Sequence, residues 1–148
     1  MEITVVCIER KLKKLNYLIE RLKDEVSEGA LLIVEGEKDI DSLRTIGIIG
    51  IKNNIIAIKS GGKTLQEIID RISFSDKEVI LLTDFDRKGR ELAWRLYKSL
   101  ERMKIKVNLR FWSEICELLG GDIKDIEGLA GCLENLRKKV EKGLSDIN

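Results

Sequence analysis

Two acidic motifs carry the chemistry this chain can do. The first, Glu35-Gly36-Glu37, follows the apolar run Leu31-Leu32-Ile33-Val34. The second, Thr83-Asp84-Phe85-Asp86-Arg87-Lys88-Gly89-Arg90, follows Val79-Ile80-Leu81-Leu82. A short apolar run ending in acids and a glycine reads as a buried strand entering a loop. Carboxylates at strand ends suit Mg²⁺ or Mn²⁺, hard cations that take oxygen ligands. Asp84 and Asp86 are two residues apart, so in an extended chain both face one side while Phe85 points into the packing. Arg87, Lys88 and Arg90 add positive charge beside the acids. That mixture fits phosphate: a cation neutralises the phosphoryl group while Arg or Lys holds the flanking backbone. The plainer alternative is a solvated loop that opens a helix, with Asp as its cap.

Composition removes other chemistries. The chain has no histidine, which excludes Ser-His-Asp and Cys-His catalysis and every metal site containing His. Cys7, Cys116 and Cys132 are widely spaced with no CxxC pair, and they read as reduced core thiols. Gly61-Gly62-Lys63-Thr64 ends like a P-loop, but the earlier glycine of that motif would fall at Ala57, so ATP binding is not expected. Charged residues make up 36% of the chain yet nearly cancel to +1, so a nucleic-acid surface would need local segregation of charge. The basic clusters Arg10, Lys11, Lys13, Lys14 and Arg137, Lys138, Lys139, Lys142 are diluted by Glu neighbours and read as solvated faces. No apolar stretch is long enough to span a bilayer and no signal-peptide pattern opens the chain, which makes the cytoplasm the default.

The elements that must position the acids alternate. Residues 1–8 are apolar and β-branched, suiting a short strand or a helix start. Residues 9–28 form an amphipathic helix with Leu12, Leu15, Ile19, Leu22 and Val26 on one stripe, ended by Gly29. The stripe is expected to pack on the sheet or on the last helix; a homodimer contact through this N-terminal helix is the alternative. Strands are expected at 31–34, 54–58, 79–82 and 106–110. Helices are expected at 38–45, 63–72, 87–103, 111–119 and 126–141. Trp94 shares the third of these with Leu92, Leu96 and Leu100, so it is assigned to core packing. This order predicts an α/β fold: a mostly parallel four-stranded sheet with helices on both faces, plus N- and C-terminal helices. Parallel strands bring Glu35, the Ser60-Gly61-Gly62 loop and Asp84/Asp86 to one carboxyl edge, where such folds bind ligands.

The segment Ile33-Val34-Glu35-Gly36-Glu37-Lys38-Asp39, followed by Leu43 and Gly47, resembles the first motif of the Toprim family, and residues 81–90 resemble its D-x-D motif. The family includes the catalytic domains of type IA and type II topoisomerases, bacterial DnaG-type primases, OLD-family nucleases, RecR-type recombination proteins and the ribonuclease that matures 5S ribosomal RNA. The resemblance runs from about Leu31 to Leu109, and the short stand-alone length looks like the small archaeal Toprim proteins. It implies a Rossmann-like Toprim domain over 30–110, with a helical extension at 1–29 and another at 111–148 packed on the same domain. It implies that Glu35 is the general acid/base or a metal-associated carboxylate and that Asp84 and Asp86 coordinate Mg²⁺, with Mn²⁺ as a substitute. Gly36 would turn the chain after the glutamate, and Gly89 with Arg90 would open the next helix. Ser60, Gly61 and Gly62 fall where relatives carry a small-residue loop near the site.

Like-charge repulsion from the aspartates is expected to raise the pKa of Glu35. Asp39 is expected to cap a helix. Asp122, Asp125 and Glu127 are expected to cap the last helix or to lie near the metal edge. The expected function is Mg²⁺-dependent, nuclease-like phosphoryl transfer on nucleic-acid phosphodiesters, RNA or DNA, with Arg87, Lys88 and Arg90 on phosphate. The alternative is a non-catalytic nucleic-acid- or protein-binding module of RecR type. Topoisomerase action would need an active-site tyrosine from another domain, and Tyr17 and Tyr97 both sit in helical patterns. Aspartyl phosphotransfer of the haloacid-dehalogenase kind would want Thr or Val at Lys88.

Overall fold

A computed structural model describes residues 2–59 and 61–147. Four strands, β1 (Leu31–Val34), β2 (Ile55–Ala57), β3 (Val79–Leu81) and β4 (Val107–Asn108), form one parallel sheet in the order β2-β1-β3-β4. The helices are α1 (Glu2–Ser27), α2 (Glu37–Thr45), α3 (Leu65–Ser73), α4 (Arg87–Arg102), α5 (Arg110–Leu119) and α6 (Leu129–Ile147). A single 3₁₀ turn, Ile126–Gly128, precedes α6. The α/β fold is therefore as expected.

Period-two alternation gives the sheet two cores. Leu32, Val34, Ile80 and Leu82 face one layer, made by α1, α2, α5 and α6. Ile33, Val79 and Leu81 face the other, made by α3 and α4. The chain leaves β1 through α2 toward one sheet edge, then returns through α3 past β1 to β3. The strand order thus reverses direction between β1 and β3, the place where open α/β sheets bind ligands.

Residues 2–8 resolve as helix, not strand, so α1 begins well before the stripe. Leu15, Ile19, Leu22 and Val26 are buried, and α1 packs on α6 and α5. The described stripe is thereby largely consumed within the chain, and the homodimer contact considered above has no support in the fold. The expected last helix is split. Asp125 Oδ1 accepts from Gly128 N at 2.8 Å, closing the 3₁₀ turn before α6 starts at Leu129. All three cysteines are free; Cys116 and Cys132 are half-buried against the core, while Cys7 is exposed, which corrects the core-thiol assignment for that residue. Among the described residues no helix is long and apolar enough to cross a membrane.

Asn54 fastens the end of α1 to the start of β2. Its Nδ2 donates to the carbonyls of Val26 (2.8 Å) and Ala30 (2.9 Å), and its Oδ1 accepts from Ile51 N. The side chain is 3% exposed, so truncation strands buried polar groups. Asn54→Ala is expected to cost about 3 kcal/mol, lowering Tm by roughly 10 °C. A loss under about 1 kcal/mol in a denaturant titration would contradict this role.

Candidate metal and phosphate site

The site lies at the carboxyl edge where β1 and β3 part. Hydrogen bonding continues past the strand ends: Leu82 N donates to Ile33 O at 2.8 Å and Lys59 N to Glu35 O at 2.8 Å. This carries Glu35, Lys59 and Asp84 to one edge. Glu35 is buried, 5% exposed, and both its oxygens are engaged. Oε2 accepts from Asp84 N at 2.7 Å and Oε1 meets Lys59 Nζ at 3.2 Å. Lys59 is pushed above its ordinary pKa by that hydrogen bond and by the negative charge behind it.

Asp84 faces the Glu35 carboxyl group and also accepts, through Oδ1, from Ile126 N at 3.3 Å. Its carboxyl is pushed up to about 7. Burial is the main cause, followed by the charge of Glu35 and the hydrogen bond between the two side chains. The expectation of a displaced carboxyl thus falls on Asp84. Two carboxyl groups facing each other need a shared proton or a cation between them. Asp39 adds a third acid, buried like Glu35. Its Oδ2 accepts from Gly36 N at 2.9 Å, the expected cap, and its pKa is raised by burial and by Glu35 and Asp125.

Asp86 is exposed and caps α4, its Oδ1 accepting from Gly89 N at 2.8 Å. The capping alternative therefore describes Asp86 well, while Asp84 is the acid brought against Glu35. Among the described residues, no three His, Cys, Asp or Glu side chains are grouped as ligands for one ion. Phe85 is buried, as expected.

Backbone and side-chain bonds hold the D-x-D loop on every side. Thr83 Oγ1 donates to Gly89 O, Trp112 Nε1 to Thr83 O, Arg90 Nε to Phe85 O and Phe85 N to Lys124 O. Phe85 and Trp112 meet edge to face at 5.8 Å, which places Trp112 in the wall of the site. Gly89 lies so close to the loop that a Cβ there would sit 2.0 Å from Asp84 O. Gly89→Ala is expected to cost about 3 kcal/mol and to displace Asp84; an unshifted unfolding curve would contradict this. Gly36, in contrast, has extended backbone (φ −137°) that any residue adopts. Gly61 and Gly62 both take φ +68°, a left-handed loop suited to glycine, with open space around them. Ser60 lies outside the described residues.

Of the basic trio, Arg87 is solvent-facing and paired with Glu91, Lys88 is exposed, and Arg90 is anchored to the Phe85 carbonyl. The late acids divide: Asp122 pairs with Lys11, while the 3₁₀ turn that Asp125 caps lies against Asp84 and Asp39. Two contributors escaped the sequence reading. Lys59 lies two residues past β2, and a base just beyond that strand was the available signal. The backbone of Lys124 and Ile126 carries no side-chain signature.

The family model for the Toprim domain matches residues 30–112. The chain belongs to the Toprim family. The UPF0292 protein of Methanocaldococcus jannaschii is 40% identical over 117 residues, covering 79% of this chain and 88% of that protein. The UPF0292 protein of Methanosarcina acetivorans is 33% identical over 131 residues, 88% of each chain. This Toprim protein thus resembles small archaeal relatives, as expected. A solved protein from Aquifex aeolicus superposes with a TM-score of 0.63 at 26% identity, covering 76% of this chain and 94% of that one. Family membership supports a metal-dependent, nucleic-acid-related module.

Proposed function

We propose that this Toprim domain binds Mg²⁺, or Mn²⁺ in its place, and acts on nucleic-acid phosphodiesters by nuclease-like phosphoryl transfer. The observation that carries the reading is the Glu35–Asp84 carboxyl pair at the reversal of strand order, with Lys59 beside it. The donor set fits the ion. Mg²⁺ keeps several waters and takes one or two carboxylates plus phosphate oxygens, so a ready-made cage of three acids is not required. Glu35 and Asp84 would hold it, with Asp86 at the rim. The ion would supply charge neutralisation at the phosphoryl oxygens.

The chain's own residues do the rest. Asp84 N–H fixes Glu35 Oε2, so the carboxylate cannot turn away. Oε1, the oxygen facing Lys59 Nζ, is where Glu35 takes or gives a proton. Lys59, mostly exposed, can reach the phosphate, as can Arg87 and Lys88. Arg90 uses Nε on the Phe85 carbonyl, and its terminal nitrogens remain for phosphate.

Labelled RNA and DNA incubated with and without Mg²⁺ or Mn²⁺ test the reading. Metal-dependent cleavage is expected, and it should vanish in Asp84→Asn/Asp86→Asn. Cleavage that persists in that variant would sink the assignment. Salt-sensitive binding without cleavage would favour the non-catalytic module of RecR type.

A further inference from the structure

We propose that the solvent face of α4 is a stacking platform for single-stranded nucleic acid leading away from the acidic site; this rests on the nucleic-acid reading above. Trp94 does not enter the core. It is 56% exposed, which corrects its assignment to core packing. Its ring lies stacked on Tyr97 at 5.7 Å between centroids and 12° between planes. Lys98 Nζ lies 5.2 Å from the indole centroid.

Charge supplies the second observation. The helix Arg87–Arg102 holds six Arg or Lys against two Glu, a net +4 on a chain whose total is +1. The segregation that overall composition concealed is on this helix, and it suits a polyanion. It disfavours a second copy of the same face, since a two-fold contact would set these cations against themselves.

Geometry links the platform to the site. Trp94 lies eight residues beyond Asp86, about 12 Å along the axis, or three to four stacked bases at ~3.4 Å each. Tyr97 backs the indole and fixes its plane. Lys98 occupies the neighbourhood where a base would stack. An exposed cation–π contact is worth about 0.5–1 kcal/mol, whereas a base on an aromatic ring is worth about 1–3 kcal/mol. A base therefore displaces Lys98, whose flexible stem lets it turn to the adjoining phosphate. Duplex hides its base faces, so the platform selects single strands.

The test is binding of labelled oligothymidylate, single-stranded and annealed to its complement, in Ca²⁺ and in EDTA, read by anisotropy and tryptophan emission. Trp94→Ala/Tyr97→Ala should lower single-strand affinity about 10- to 100-fold, with little change for duplex and an unchanged salt slope; Tyr97 is half-buried against the α3–α4 core, so Trp94→Ala alone is the companion variant expected to weaken strand binding with Tm unchanged. Arg95→Ala/Lys98→Ala should instead flatten the salt slope by about 1.4. Unchanged single-strand affinity in the aromatic double variant overturns the platform, and so does an equal loss for duplex. Self-association of the wild type that the variant abolishes also overturns it, assigning the face to a second copy. Mn²⁺ titration reads the acidic site separately. Strand binding without metal binding or cleavage removes the catalytic reading and leaves the platform. Metal-dependent cleavage with unchanged affinity in the aromatic variant does the reverse, and no oligonucleotide binding by the wild type removes both.

Discussion

Asp84→Asn is expected to make the metal-free protein more stable at pH 8 while abolishing its stabilisation by Mg²⁺. The Asp84 carboxyl is raised from 3.8 to about 7 in the folded chain. Between those values the folded state binds a proton that the unfolded state releases, so stability falls as pH rises through this window. The contribution is fully present below about pH 4 and lost above about pH 7. Asp84 is partly open to solvent, which screens the effect, leaving about 1–2 kcal/mol. Asparagine removes the charge and keeps the geometry: its Oδ1 can still accept from Ile126 N and its amide can donate to Glu35. Urea titrations in EDTA from pH 4 to pH 8 should therefore show a falling stability in the wild type and a flatter profile in the variant. Added Mg²⁺ should restore wild-type stability at pH 8, because a bound cation favours the ionised pair. Equal slopes in the two proteins would remove the proposed electrostatic conflict.

Glu35→Gln should lower metal-dependent cleavage by about 10²- to 10⁴-fold with the fold retained. Glutamine can accept from Asp84 N or from Lys59 Nζ, but it cannot exchange a proton at Oε1. Glu35→Ala is a harsher change. It leaves the Asp84 N–H without its acceptor and Lys59 without its counter-charge, at a cost of about 1–3 kcal/mol. A glutamine variant that cleaves at the wild-type rate would show that Glu35 handles no proton. Comparing the two variants separates chemistry from stability, since glutamine keeps one of the two contacts and alanine neither, so alanine should shift the unfolding curve further.

The strands were legible because they are continuous apolar runs with sharp polar ends. Leu31–Val34 matched residue for residue, and β2 and β3 differed only at their ends. The fourth strand shrank to Val107–Asn108. The β-branched start of the chain was ambiguous because propensity favours strand, whereas packing on α6 decides for helix: Gly143 of α6 lies against Val5, with no room there for a Cβ. Trp94 was misplaced by its neighbours. Leu92, Leu96 and Leu100 mark one face, but a residue two positions from Leu92 and from Leu96 turns about 200° away from each. In the site, Glu35 and Asp84 were legible from strand ends and motif, and their convergence follows from parallel pairing. Two features were not: Lys59 on Glu35, and the Lys124–Ile126 backbone against the D-x-D loop. Each depends on contacts between distant segments that no local pattern encodes.

Anomalous diffraction from crystals grown in Mn²⁺ would locate the ion held by Glu35 and Asp84. A single strong peak per chain is expected against the Glu35 and Asp84 carboxylates, absent from Asp84→Asn/Asp86→Asn crystals. A wild-type map with no peak at that edge, or with Mn²⁺ bound elsewhere, would contradict it.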